Sequence, residues 1–169
     1  FYRIVPGNIR EIKAFKNTID ESGITNSVLI GDKGFYSKDN ITHLETYDLS
    51  YIIPLRRNNK LIDYSTIREN TFKEANEYFK YAGRTIWYKV FDIEGRRLVL
   101  YLDERLKVHE EEDYMKRIDT HPEDYTIEKY QEKRNRFGTL ALYTPLKAYS
   151  PQKLYETYKG RNSIETMFD

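Results

Sequence analysis

Apolar positions along this chain follow two different rhythms, and the change between them predicts its elements. Tyr2 to Val5 reads as a short strand, which Pro6-Gly7 turns off. Ile9, Ile12, Phe15 and Ile19 then recur at helical steps, with Asn8 as N-cap, Glu11 completing the cap and Gly23 as a stop. Val28 to Ile30 is a continuous apolar run, the mark of a buried strand, and it delivers Asp32 at its carboxyl end. Ser37 caps a second helix that runs to about Tyr47. Leu49 to Leu55 reads as a third strand, ended by Pro54 and the basic run from Arg56 to Lys60. Strands alternating with helices predict an α/β layer in which at least part of the sheet is parallel.

Beyond Arg57 the period changes. Thr85 to Asp92 and Arg96 to Asp103 alternate as a β-hairpin around Ile93-Glu94-Gly95. Leu106 to Ile118 and Tyr125 to Lys133 carry charged helical patterns, and Phe137 to Thr144 reads as a strand. Ser150-Pro151 combines an N-cap residue with proline at the first helical position and starts a final helix. These patterns divide the chain into a core segment over 1–57, an inserted β-rich segment over 58–149 and a core helix over 150–169.

Composition narrows the chemistry. A chain of 169 residues is long enough for one core, or for a core with a large insertion. Its 28 basic and 27 acidic side chains leave a net charge of +1, so any nucleic-acid surface must be local. The absence of cysteine excludes disulfides and thiolate metal sites. No stretch reaches the roughly 18 to 20 apolar residues of a membrane span. Sixteen tyrosines are read mainly as half-buried faces.

Two places concentrate chemistry. Asp32 stands between Gly31 and Gly34, where flexible backbone brings a carboxylate close to a ligand. Tyr158, Arg161 and Glu165 fall in one sector of the last helix at about 100° per residue, so a phenol, a guanidinium and a carboxylate converge. Taken singly, each has an ordinary reading: Asp32 as a loop carboxylate, Glu165 as a helix surface residue paired with Arg161. Basic clusters at Arg56, Arg57 and Lys60, at Arg96 and Arg97, and at Lys133, Arg134 and Arg136 suit phosphate contacts or a solvated face. Trp87 and Tyr88 suit stacking on an unpaired base, or a hydrophobic core. His43, His109 and His121 have no metal-ligand spacing, and Glu110 to Asp113 point in different directions around a helix.

The two places together resemble the IS4-type family of DDE transposases. Gly31-Asp32-Lys33-Gly34-Phe35-Tyr36-Ser37 is similar to that family's second-aspartate region, D-[RK]-G-F-x-S, and the tail matches Y-(2)-R-(3)-E-(6)-K at Tyr158, Arg161 and Glu165. Tyr2 to Asn8 is similar to the family's P-G-N stretch, and a β-rich insertion before the glutamate helix is also its habit. The resemblance implies a ribonuclease-H-like core, with Asp32 and Glu165 as catalytic residues and metal ligands for two Mg2+ or Mn2+ ions. It implies phosphoryl transfer at transposon ends, with terminal inverted repeats and target DNA as partners. Tyr158 and Arg161 would contact DNA, joined by Arg56, Arg57 and Lys60. A homodimer on paired ends and a cytoplasmic, nucleoid-associated location follow from the same resemblance.

The family's first aspartate has no counterpart before Gly31, and its lysine would fall after Asp169. The expectation is therefore a core truncated at its N-terminal strands and inactive by itself. The alternative is a non-catalytic relic or DNA-binding module of the same fold. A ribonuclease-H-like nuclease unrelated to transposition would share the carboxylates but would have no use for the tyrosine and arginine of the tail.

Overall fold

The computed structural model describes residues 16–18, 20, 21, 23, 27–75 and 77–165, and for 162–165 the backbone alone. The strand expected over Tyr2 to Val5, the Pro6-Gly7 turn and the Asn8 cap lie outside the described residues. Residues 16–18, 20 and 21 are helical, Lys16 and Asp20 pair at 2.7 Å one turn apart, and Gly23 takes the left-handed φ of +64° that ends helices. The fold is mixed α/β, and the chain forms two compact units.

The first unit draws on Phe1–Arg56, Val90–Val99 and Ala141–Asp169. β1 (Val28–Ile30) pairs in parallel with β2 (Ser50–Leu55), in the register Val28 to Ser50 and Ile30 to Ile52. β2 also pairs antiparallel with β6 (Thr139–Thr144), Ile53 opposite Tyr143 and Leu55 opposite Ala141. The strand order here is β1-β2-β6-β5-β4, where β4 (Arg84–Ile93) and β5 (Arg96–Asp103) each give one stretch to each unit. β2 is buried along Tyr51 to Leu55, as an interior strand covered on both faces must be. It ends at Leu55, where the expected strand ends, with Pro54 inside it. Pairing to β1 ends at Ile52, so Pro54 sits past that partner and opposes Leu142 of β6. At a point where one side of the strand has no ladder, a residue without N–H is tolerated.

Between β1 and β2 lies α1 (Lys38–Thr46), capped as expected: Ser37 Oγ accepts from Asn40 N at 3.0 Å. Its buried face, Asn40, Ile41 and Leu44, follows helical spacing. The closing helix of this unit, α5 (Pro151–Glu165), begins where Ser150 Oγ accepts from Lys153 N at 3.1 Å, and it buries Leu154, Tyr155 and Tyr158.

The second unit draws on Arg57–Lys89 and Leu100–Leu140. It contains the short helix α2 (Ser65–Arg68), β3 (Tyr78–Tyr81), α3 (Glu104–Thr120) and α4 (Ile127–Lys133), with strand order β6-β5-β4-β3. β3, not anticipated from the pattern, pairs with β4 through Ala82-Gly83, both at positive φ, which makes the tight two-residue turn suited to strand twist. Glu94-Gly95 repeats that geometry between β4 and β5, one residue tighter than the loop expected. Residues 58–149 contribute to both units.

A polar junction organises this unit. Asp103 caps α3 by accepting from Leu106 N at 3.1 Å, and its other oxygen meets Arg84 Nη1 at 2.8 Å. Gly138 accepts from Asp103 N at 2.9 Å and donates to Glu110 Oε2 at 2.7 Å. Gly138 has φ +68°, and a Cβ there would collide with Asp103 O and lie 2.6 Å from Lys107 Cβ. Gly138→Ala therefore combines a left-handed backbone cost of about 1–2 kcal/mol with overpacking against backbone of about 1–3 kcal/mol. Gly95→Ala, at φ +80° with nothing within 4 Å, carries only the first cost. Urea denaturation of the two variants is expected to show Gly138→Ala the more destabilised by more than about 1 kcal/mol.

Candidate active site at the end of β1

β1 ends in a turn with very little room. Gly31 N continues the parallel ladder by donating to Ile52 O at 3.1 Å. A Cβ on Gly31 would lie 3.1 Å from Phe35 Cβ and 3.3 Å from Ile53 Cγ1, tighter than ordinary van der Waals contact, so glycine is selected here by packing. The next residue, Asp32, turns its exposed side chain back on the loop: Oδ1 accepts from Gly34 N at 2.7 Å, while Phe35 N donates to Asp32 O at 3.2 Å. Phe35 is fully buried and pins the far end of the turn, and Asn40 Nδ2 donates to Phe35 O at 2.6 Å. A carboxylate thus stands at the carboxyl end of a parallel strand with its orientation fixed by backbone N–H. Arg56, at the end of β2, is exposed and borders the same loop, with Nη2 3.7 Å from where a Gly34 Cβ would be.

α5 comes to this loop from the other end of the unit's sequence. Arg161 Nη1 donates to Gly31 O at 3.2 Å, 130 residues away along the chain, and the guanidinium carbon lies 5.3 Å from the centre of the Tyr158 ring. Tyr158 is 6% exposed. The helix face expected from the Tyr-Arg-Glu spacing is real at its first two positions, and it is turned toward the residue preceding Asp32. Glu165 lies in the helix one turn beyond Arg161, and its side chain is outside the described residues.

Other candidate cations have structural partners. Arg57 forks onto both oxygens of Glu110 at 2.9 Å and donates through Nε to Thr139 O at 2.9 Å. Lys60 is exposed in the same unit. Arg96 holds both oxygens of Glu45, with Nη2 to Oε2 at 2.6 Å. Arg97 Nη1 gathers the carbonyls of Leu146, Lys147 and Tyr149 at 3.4, 3.2 and 2.7 Å, organising the loop that launches α5. Lys133 Nζ sits 5.6 Å from the Tyr114 ring centre. Trp87 packs at 5.0 Å from Tyr78, with Lys73 Nζ 5.8 Å from its ring. His43 and His121 bond locally, to Asp39 O and Thr120 Oγ1, both at 2.8 Å. Arg97 and the Gly31 carbonyl are the residues whose roles spacing could not reveal, because their partners lie tens of residues away.

The family model for the transposase DDE domain matches residues 1–169. The chain belongs to that family. No curated protein and no solved structure matches it. Membership gives this DDE domain a role in transposition, with DNA as substrate and transposase activity at the level of the family. Its α/β architecture is compatible with that membership, and among the described residues no helix is long and apolar enough to cross a membrane.

Divalent metal ions are the general means of DDE transposases, and the donor chemistry here suits them. Asp32 presents a hard carboxylate, exposed and held by Gly34 N on one oxygen only among its hydrogen bonds given above, as Mg2+ and Mn2+ prefer. Among the described residues, no group of three or more His, Cys, Asp or Glu side chains gathers to hold a metal by itself. By its chemistry the Asp32 carboxylate suits such an ion.

The Glu45–Arg96 pair, beside the Tyr51–Tyr143–Tyr36 ring cluster, braces this unit. Hydrogen bonding from Arg96 holds the Glu45 carboxyl below the usual carboxylate range, against partial burial that pushes it up. Because its folded pKa lies below an unfolded value of about 4.3, this stabilisation is present above that pH and is lost as pH falls through the folded pKa. Glu45→Gln is expected to lower stability by about 1 kcal/mol at pH 7. Urea titrations at descending pH should show the deficit against wild type narrowing below about pH 4.

Proposed function

We propose that this domain performs the metal-dependent phosphoryl-transfer step of an IS4-type transposase, cutting and joining DNA at transposon ends on a ribonuclease-H-like core. One observation carries the reading: Arg161 Nη1 reaches the carbonyl of Gly31 at 3.2 Å, tying the Tyr158–Arg161–Glu165 helix to the residue before Asp32. That contact supports reading the two sequence-distant motifs as one site at the end of β1, where α/β sheets collect their sites.

In this reading Asp32 and Glu165 are the carboxylates that hold divalent cations. Bound there, such ions supply charge neutralisation at the scissile phosphate and lower the pKa of an attacking hydroxyl or water. The protein's own task is geometric. The Gly34 N–H keeps the Asp32 carboxylate in one orientation, and buried Phe35 prevents the turn from swinging away. Arg56, exposed beside that turn, offers its guanidinium to a phosphate of the DNA strand, and Lys60, exposed in the other unit, is a separate phosphate contact. Arg57, expected as a further DNA contact, is forked onto Glu110 within its own unit. Terminal inverted repeats and target DNA are the substrates in this reading, and a homodimer on paired ends is the working assembly.

In the intact transposase, Asp32→Asn and Glu165→Gln are each expected to reduce end cleavage at least about 1,000-fold while leaving end binding within about threefold, since losing a metal ligand strikes chemistry more than phosphate contact. Cleavage at wild-type rate by either variant would refute the assignment. Arg56→Ala with Lys60→Ala is expected to reduce the slope of log binding constant against log salt by about 2, one per lost phosphate contact. Filter binding across a salt series measures it.

A further inference from the structure

We infer that Arg161 is a positioning residue: its guanidinium sets the glutamate-bearing helix against the aspartate loop, and so fixes the spacing of the two carboxylates. The inference rests on the reading of Asp32 and Glu165 as metal ligands, and it assigns Arg161 a duty other than the DNA contact expected from the tail motif.

The polar groups of the turn after β1 show how the link works. Gly31 N–H goes to Ile52 O, Phe35 N–H goes to Asp32 O, and Gly34 N–H goes to Asp32 Oδ1. Each of these bonds keeps the turn attached to itself or to β2. The bond from Arg161 to Gly31 O is of another kind, because it joins the turn to α5. A backbone carbonyl is a fixed point, one peptide before the catalytic aspartate, whereas a phosphate would arrive only with substrate. Tyr158 supports the same geometry from below, its buried ring 5.3 Å from the guanidinium carbon, so Arg161 is held between an aromatic face and a carbonyl.

The leverage follows from helix geometry. Glu165 is four residues beyond Arg161, about 6 Å along the axis. Whatever fixes Arg161 therefore fixes the glutamate backbone to within one turn. Mg2+ accepts oxygens only near 2.0–2.1 Å, so a shift of about 1 Å between helix and loop separates the ligands. The other end of α5 is secured by the same chemistry: Arg97 gathers three carbonyls of the preceding loop. Guanidinium-to-carbonyl bonds thus tether both ends of the helix, and their donors stay charged at every physiological pH.

The test compares the intact transposase with its Arg161→Gln, Arg161→Lys and Asp32→Asn variants, each first verified as folded by circular dichroism. Three quantities are read: Mn2+ affinity without DNA by water-proton relaxation, amide hydrogen exchange of Gly34 and Phe35, and the salt slope of end binding. Positioning predicts that Arg161→Gln weakens Mn2+ binding at least about tenfold and speeds exchange at Gly34 and Phe35 similarly, with the salt slope unchanged. Arg161→Lys, which keeps the charge but not the planar donor, should also weaken Mn2+ binding. A salt slope reduced by about 1 in Arg161→Gln, with Mn2+ affinity and exchange at wild-type values, would make Arg161 a phosphate contact and overturn the inference. Full Mn2+ affinity in Arg161→Lys would overturn it too, since charge alone would then suffice. Asp32→Asn separates the two levels: undiminished Mn2+ binding there refutes the metal reading itself, whereas loss there with no loss in the Arg161 variants refutes the positioning role alone.

Discussion

The end of β1 is where backbone, not side chain, must approach its neighbours, and the candidate site depends on that constraint. Gly31 lies so near Phe35 and Ile53 that a methyl group would crowd both. Parallel pairing with β2 brings the chain to this point, and the Gly31–Ile52 hydrogen bond carries the ladder one residue past the strand. Glycine lets the chain pass this point, just before the turn in which Asp32 accepts from Gly34 N, and its carbonyl accepts from Arg161.

Several arginines in this protein are used for internal bonding. Arg57, Arg96 and Arg97 each satisfy carboxylates or carbonyls of the fold, and Arg84 pairs with the capping Asp103. Arginine suits this work because its planar fork meets two acceptors at once. Other cations, Arg56 and Lys60 among them, are exposed.

Most elements were legible from local pattern. The buried run at Val28, the Ser37 cap, the alternation around Glu94-Gly95 and the Ser150-Pro151 start each depend on neighbours a few residues away, and the structure has them within one or two residues of expectation. One strand was missed for a definable reason: the turn before β4 uses Ala82 at φ 47°, and alanine gives no turn signal, so β3 was not read. How Pro54 is tolerated inside β2 needed the pairing registers, which show that β1 has already ended beside it.

Sequence by itself pointed to the DDE transposase family by resemblance, and helical spacing put Tyr158 and Arg161 on one face of the last helix, because such spacing is local physics. Tertiary structure alone decided which side chains meet across long stretches of chain. That Arg161 bonds to Gly31, that Arg97 organises the start of α5, and that Arg57 is paired with Glu110 depend on how the sheet and helices pack. No local rule contains those pairings, since a guanidinium finds whichever acceptor folding brings within about 3 Å, and sequence order does not say which one that will be.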